Sequence, residues 1–497
     1  MIYTSTRDAS VRVPASEAIA KGISSDGGLF VPMTIPTINL VDIERLMRLD
    51  YVERAKEILK LYLTDFTDDE LSACVENAYR ADKFSSPEIA PLYSLSDEVQ
   101  VLELWRGPTC AFKDMALQLL PHLLTVSAAK TRKNTKIVIL VATSGDTGKA
   151  ALEGFRDVEN TQILVFYPEN GVSPMQKLQM TTQEGANVGV CAIQGNFDDA
   201  QSGVKAIFTD RSLEEKFAEH HMAFSSANSI NWGRLVPQIV YYVSAYCDMV
   251  KSEKLKIGAP MNVVVPTGNF GNILAAYYAK QMGVPIGKLI CASNANNVLT
   301  DFLQSGTYDK NRPFYCTESP SMDILISSNL ERLLFLLSGQ DADMTRAYME
   351  ALSEKGCYKV SEKIFSALAD LFAAGCCDDT DTERTIRRIY EKYGYLCDTH
   401  TAVALNVYAA YKTKTGDSTP TVIASTANPY KFSKSVLHAV APERVTDDEF
   451  ETVEALHALT GAPVPPQLSS LRGKTPRFTG VVQKEDMANA VLEMLGI

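Results

Sequence analysis

The chain of 497 residues lacks a surplus of positive charge: 48 lysines and arginines stand against 60 aspartates and glutamates, a formal net charge of -12. That balance argues against a nucleic-acid or anionic-membrane surface and leaves room only for a local basic pocket. Apolar runs are short as well, because charges interrupt each one well before the roughly 20 residues that span a bilayer. The opening residues, Met1 to Asp8, carry no basic stretch followed by an apolar one, so no secretory signal is read there and the cytoplasm is the expected compartment. Ten cysteines show no metal-ligand spacing, and the one close pair, Cys376-Cys377, is adjacent and poorly suited to a disulfide or a zinc site. They read as reduced, mostly buried thiols. Only six histidines occur, the neighbouring pair His220-His221 has no third ligand, and no metal is expected. Internal repeats, heptad seams and low-complexity tracts are also missing.

What is present is ordinary globular material, 46% hydrophobic and 22% charged, in a chain long enough for two or more domains with a cleft between them. Residues 1–90 carry amphipathic helical patterns, for example Val41 to Leu63, and a capping box at Thr67-Asp68-Asp69-Glu70. They read as a helical N-terminal domain, followed by a larger domain over 91–497. From Lys136 onward, continuous β-branched runs alternate with helical stretches: Ile137 to Val141, Ile163 to Tyr167, Val188 to Ile193, Val263 to Val265, Leu289 to Ala292 and Thr421 to Ala424. Strands buried on both faces have this texture, and the alternation predicts an α/β fold with mainly parallel sheets. The stretch from 301 to 395 turns charged and helical, as in Asp341 to Leu352 and Glu383 to Tyr393, and reads as a helical insertion. Asp486 to Leu495 forms an amphipathic helix expected to dock on the body.

Two strand-to-helix junctions are rich in glycine and small polar residues. One reads Thr143-Ser144-Gly145-Asp146-Thr147-Gly148, with a helix expected from about Lys149; the other reads Pro266-Thr267-Gly268-Asn269-Phe270-Gly271-Asn272. At such junctions free backbone N–H groups and the positive end of the helix dipole form an anion site that glycine lets a ligand approach. Neither is a P-loop, since Thr143 stands where the first glycine belongs and Ala150 replaces the metal-binding hydroxyl, and neither has the dinucleotide fingerprint. Tight turns within an α/β sheet remain the plain alternative. A third segment, Gly107-Pro108-Thr109-Cys110-Ala111-Phe112-Lys113-Asp114, sets a lysine among apolar neighbours, which suits a desolvated amine for Schiff-base chemistry. A solvated surface lysine is the competing reading.

These three motifs, in this order, resemble the threonine synthases among the fold-type II pyridoxal-phosphate enzymes. The likeness runs from Tyr3-Thr4-Ser5-Thr6 and Gly27-Gly28-Leu29-Phe30-Val31-Pro32 to Ser425-Thr426-Ala427-Asn428-Pro429, almost the whole chain. It implies a tryptophan-synthase-β-like fold in two subdomains, the mobile one over roughly 135–225, and pyridoxal 5'-phosphate as cofactor. Lys113 would form the Schiff base with the cofactor aldehyde and act as the catalytic base. Gly268, Asn269, Phe270, Gly271 and Asn272 would hold the cofactor phosphate, and Thr426 would meet the pyridine nitrogen. Asp146 stands where relatives often have an asparagine near the cofactor's phenolic oxygen, where an acid would need a shared proton. Ser144, Gly145 and Thr147 would receive the substrate carboxylate, and Asn228, Ser229 and Arg234 a second phosphate, that of the substrate.

The activity so implied converts O-phospho-L-homoserine and water to L-threonine and phosphate by γ-elimination and β-addition of water, the last step of threonine biosynthesis. The resemblance implies a monomer or a homodimer with this small molecule as partner, and neither nucleic acid nor membrane. Two rivals stay open: a phospholyase releasing 2-oxobutyrate, and a non-catalytic homologue that binds phosphorylated amino acids. Asn428, where many relatives have histidine, and Cys110 in the lysine motif depart from the pattern. His400, in Asp398-Thr399-His400-Thr401-Ala402, reads as structural or cleft-lining rather than catalytic.

Overall fold

The computed structural model describes residues 1–132, 135–143 and 145–497. Its centre is a pair of sheets. All six continuous β-branched runs form strands, at Lys136–Ala142, Thr161–Pro168, Val188–Gln194, Met261–Pro266, Ile286–Ser293 and Thr421–Ser425. Three of them build a five-stranded, fully parallel sheet with Met222–Ser225 at one edge and Val481–Gln483 at the other. The other three build a six-stranded sheet with Val99–Glu103, Phe372–Cys376 and Leu92–Ser94, in which only Leu92–Ser94 is antiparallel. Apolar side chains cover both faces of the central strands, as parallel sheets require.

The edge strand Phe372–Cys376 lies inside the stretch read as a helical insertion. Its sequence, Phe-Ala-Ala-Gly-Cys, has no β-branched residue, so the sequence pattern hides a strand created by pairing with Leu289 to Ser293. The helices Ala342–Lys355 and Asp379–Tyr393 flank it as expected. The amphipathic pattern from Val41 to Leu63 also proves to be two helices, Leu40–Leu46 and Tyr51–Tyr62, because Asp50 caps the second by accepting from the Glu53 N–H at 2.9 Å. The Thr67 capping box forms in both directions. Met487 and Val491 of the last helix pack into the core of the five-stranded sheet, with Val138 and Leu164.

Residues 1–90 hold a strand pair, Tyr3–Ser5 with Phe30–Pro32, besides their helices. They share one continuous core with the helices Trp232–Lys251 and Gly271–Met282. Its hub is Trp232, whose ring centroid lies 5.4 Å from that of Tyr3, 5.8 Å from Tyr62 and 5.4 Å from Tyr278. The segment that begins at Trp232 is thereby anchored from outside the sheets.

The turns that follow Val99–Glu103, Lys136–Ala142, Met222–Ser225, Met261–Pro266 and Thr421–Ser425 all leave carboxyl ends of parallel strands, where ligands of open α/β sheets bind. One close approach fixes how the two sheets meet. Gly154, in the helix Asp146–Phe155, presses on the helix Lys113–Leu117, where a Cβ would lie 2.0 Å from the Leu117 carbonyl oxygen. Gly154→Ala is expected to cost roughly 1–3 kcal/mol through overpacking. Urea unfolding of the purified variant measures this, and an unchanged midpoint would show that the contact is loose.

Candidate active site

One carboxylate shapes the turn before Lys113. Asp114 is fully buried and accepts from the Thr109 N–H at 2.8 Å and from Thr109 Oγ1 at 2.5 Å. Glycine is needed at 107, since a Cβ there would meet that of Asp114 at 2.6 Å. The other flank is stitched to the C-terminal motif: the Phe112 N–H donates to the Thr426 carbonyl at 2.8 Å, the Asn428 N–H donates to the Cys110 carbonyl at 3.0 Å, and Ala111 bridges Ala427. Lys113 then opens the helix Lys113–Leu117 with its backbone held on both sides. Its Nζ donates to Ser321 Oγ at 3.2 Å and lies 4.0 Å from Asp146 Oδ2. Burial draws the Lys113 amine down to about 8; Asp146 opposes that fall, and the cations Arg234 and Lys431 reinforce it.

Asp146 is the first residue of its helix, three positions earlier than the sequence suggested, and it is buried. Thr143 Oγ1 accepts from the N–H groups of Gly145 at 3.0 Å and Gly148 at 2.8 Å, which folds the loop tightly. Gly145 has φ 131°, and a Cβ there would strike the Gln176 side chain at 2.4 Å. Gln176 Nε2 donates to Asp146 Oδ1 at 3.1 Å, and the same oxygen pairs with Lys431 Nζ at 2.7 Å. Burial alone would raise the Asp146 carboxyl; Lys431 and Lys113 outweigh it and hold the group well below the usual carboxylate range. The negative charge is thus balanced by the buried ammonium of Lys431. Thr147 is half-buried beside it, and Ser144 lies outside the described residues.

At the second junction Phe270 adopts a left-handed conformation, φ 64°, and the helix Gly271–Met282 starts with no side-chain cap. Its first N–H groups are therefore left for an anion. Buried nearby are two polar atoms without a partner, Asn272 Nδ2 and Gln238 Oε1. The loop itself is pinned from behind: Ser327 Oγ donates to the Gly268 carbonyl at 2.7 Å, and the Asn329 side chain donates to the Asn269 carbonyl at 3.0 Å. Gly268 also faces the Ser321 carbonyl so closely that a Cβ would lie 2.6 Å away.

Arg234 occupies the first turn of the helix Trp232–Lys251, which Asn231 caps by accepting from the Gly233 N–H at 2.9 Å. Asn228 and Ser229 precede it, both half-buried. The Arg234 side chain is buried, and its Nη1 donates to the Ala227 carbonyl at 2.6 Å. Among the described residues no carboxylate forms an ion pair with it. Burial lowers its guanidinium to about 10. A buried cation left without a counter-charge is costly, and an anionic ligand would supply that charge.

Sequence reasoning had missed Lys431 and Arg332, which the fold brings here beside Asn428 and His400. Lys431 is fully buried and also donates to the Thr109 carbonyl at 2.9 Å; its position between Tyr430 and Phe432 was the available signal. Asn428 Oδ1 accepts from the Tyr430 N–H at 3.0 Å and so shapes the turn that carries it. Arg332, also fully buried, donates to the Ile230 carbonyl at 2.6 Å and to Asn329 Oδ1, joining the Asn228–Arg234 segment to the Gly268–Asn272 loop. Nothing in its helical sequence context marks it. His400 Nε2 accepts from the Ser321 N–H at 3.1 Å while its Nδ1 meets Asp398 at 2.9 Å. It supports the serine that contacts Lys113 and does not reach the amine itself.

Three family models match in chain order: the threonine synthase N terminus over residues 2–79, the pyridoxal-phosphate dependent enzymes over 88–427, and the threonine synthase C-terminal region over 401–491. Threonine synthase from Pseudomonas aeruginosa is 39% identical over 440 residues, 88% of this chain and 90% of its own. The chain belongs to the threonine synthase family of pyridoxal-phosphate dependent enzymes. Human threonine synthase-like 1 is 40% identical over 458 residues, 90% of this chain, and the chain spans only 61% of that protein's length. The structure of a PLP-bound threonine synthase from Brucella melitensis superposes with a TM-score of 0.88 at 36% identity, covering 99% of each chain.

The residues present fit the cofactor: a buried amine of lowered basicity for its aldehyde, and an uncapped helix start with unpartnered amide groups for its phosphate. Because only the uncharged amine attacks an aldehyde, uptake of pyridoxal phosphate by the apoprotein should accelerate with rising pH and level off above a midpoint near 8. Stopped-flow absorbance of the Schiff base measures that profile. A midpoint near that of a solvated lysine would show that Lys113 is not desolvated.

Proposed function

We propose that this chain converts O-phospho-L-homoserine and water to L-threonine and inorganic phosphate with pyridoxal 5'-phosphate bound at Lys113. The observation that carries the reading is Arg234, a buried guanidinium without a carboxylate partner among the described residues, close enough to Lys113 to depress its basicity. A cofactor phosphate on the Gly268–Asn272 loop leaves that second cation to a second anion, as a phosphorylated substrate requires.

In this reading the bound cofactor supplies an electron sink for charge developing on the substrate carbons. Lys113, as a free amine once substrate is bound, would take the proton from Cα, carry the one lost from Cβ as the γ-phosphate departs and later return protons to the substrate, a role suited to an amine near pH 8. Arg234, with Asn228 and Ser229, holds the γ-phosphate and stabilises it as it departs. Thr147 presents its hydroxyl to the carboxylate at the start of the helix Asp146–Phe155, and Ser144 and Gly145 are assigned there from the motif. Thr426, a neutral hydroxyl, would meet the pyridine nitrogen without forcing its protonation. Closure of the five-stranded sheet's subdomain excludes water until the β-addition. The division into an N-terminal unit over 1–90 and a catalytic unit over 91–497 belongs to the same proposal. So does a cytoplasmic location, supported by ten cysteines that are all free. No helix among the described residues is long and apolar enough to cross a membrane.

Incubating the purified, cofactor-loaded protein with O-phosphohomoserine should give threonine and phosphate in equal amounts. Formation of 2-oxobutyrate in place of threonine would make it a phospholyase, and no turnover would leave a binding protein. Arg234→Leu should retain the Schiff-base spectrum and lose about 2–4 kcal/mol of transition-state stabilisation, two or three orders of magnitude in kcat/KM. Parental turnover in that variant would remove the second anion site from the account.

A further inference from the structure

The cleft between the sheets is bridged by one fully buried ion pair. Asp146 belongs to the five-stranded side, following the strand Lys136–Ala142; Lys431 belongs to the six-stranded side, following Thr421–Ser425. Their 2.7 Å contact is supplemented by the Lys431 bond to the Thr109 carbonyl, in the turn before Lys113, and by the Gln176 bond to Asp146. The lysine side chain is 0% exposed and the aspartate side chain 3%. A pair so buried is poor value as a stabiliser, because desolvation consumes most of the Coulombic gain and an apolar pair would serve as well. Its position, with Asp146 Oδ2 4.0 Å from Lys113 Nζ, gives it another use.

We propose that Lys431 is a positioning residue, the counter-charge that fixes the Asp146 carboxylate across the cleft and thereby sets the charge around Lys113. The inference rests on the assignment of Lys113 as the amine that takes the cofactor. The charged groups acting on Lys113 are Asp146, Arg234 and Lys431, with Ser321 as its hydrogen-bond partner. Those acting on Asp146 are Lys431 and Lys113, with the Gln176 amide. Lys431 further faces Asp114 and Lys149. Within this set, Lys431 repels a proton on Lys113 directly and also occupies the carboxylate that would otherwise attract one. Its removal must therefore make Lys113 more basic, removal of the carboxylate must make it less basic, and removal of both must largely cancel.

The pH profile of cofactor uptake by the apoprotein reads this without reference to substrate. Lys431→Met should move the midpoint upward by about one to three pH units, the range typical of a nearby charge. Asp146→Asn should move it downward, and the double variant should return it near the parental value. A merely structural lysine would lower stability without opposite shifts that cancel. Should Lys431→Met fail to fold, Lys431→Arg and Asp146→Asn carry the test: the arginine keeps the parental midpoint and the asparagine lowers it. An unshifted midpoint in Asp146→Asn, or a double variant that stays at the Lys431→Met value, overturns the inference. A parent that forms no Schiff base overturns the cofactor assignment and this inference together, whereas a parent that forms one while Lys431→Met leaves the midpoint in place overturns this inference alone.

Discussion

The structure depends on an imbalance of buried charge. Lys113 and Lys431 meet the ionised Asp146 carboxylate out of solvent, with the buried Asp114 also facing Lys431, and Arg234 is buried close enough to act on Lys113. Each such ion costs several kcal/mol to desolvate, and among the described residues Arg234 has no paired carboxylate to offset its charge. The surplus is tolerable if anions complete the site, and the uncapped helix start at Gly271 adds a further demand of the same sign. A site of this kind favours anionic ligands. A chain with net charge -12 can thus still carry a local basic pocket: the basic groups are buried in the cleft, while the acidic excess contributes to solubility.

The fold meets that demand by placing rigid elements behind each charged group. Lys113 is held by Asp114 on one side and by the Thr426–Asn428 segment on the other. Arg234 is set by the Asn231 cap and by the Trp232 hub, which residues 1–90 pack around. Arg332 and Asn329 join the two loops assigned to phosphates. The N-terminal residues are therefore part of the site's mechanics although none of them lies against Lys113.

Much of this was legible in the sequence, for reasons that can be named. Strands buried on both faces tend to be continuously apolar, so most interior strands of both sheets stood out; Val99–Glu103 did not, because Gln100 and Glu103 interrupt its apolar run, and Phe372–Cys376 did not, because its strand character comes from its neighbour and not from its own residues. The three glycine-containing turns were visible because close backbone approach leaves few residue choices, as Gly107 and Gly268 illustrate. The family resemblance supplied the roles that spacing alone could not. Lys431, Gln176 and Arg332 escaped because their importance is purely tertiary: each meets its partner across tens to hundreds of residues, as in the bond of Gln176 to Asp146 or of Arg332 to the carbonyl of Ile230. For the same reason the charge state of Asp146 could not be judged until Lys431 was in place.

The central claim is that the cleft holds two separate anion sites, one for the cofactor and one for the substrate. A crystal structure of the cofactor-loaded protein soaked in inorganic phosphate tests it most directly. The account predicts one phosphate of the cofactor on the Gly268–Asn272 loop and a free phosphate held by Arg234 with Asn228 and Ser229. A free phosphate bound elsewhere, with Arg234 turned to a protein carboxylate, would contradict it.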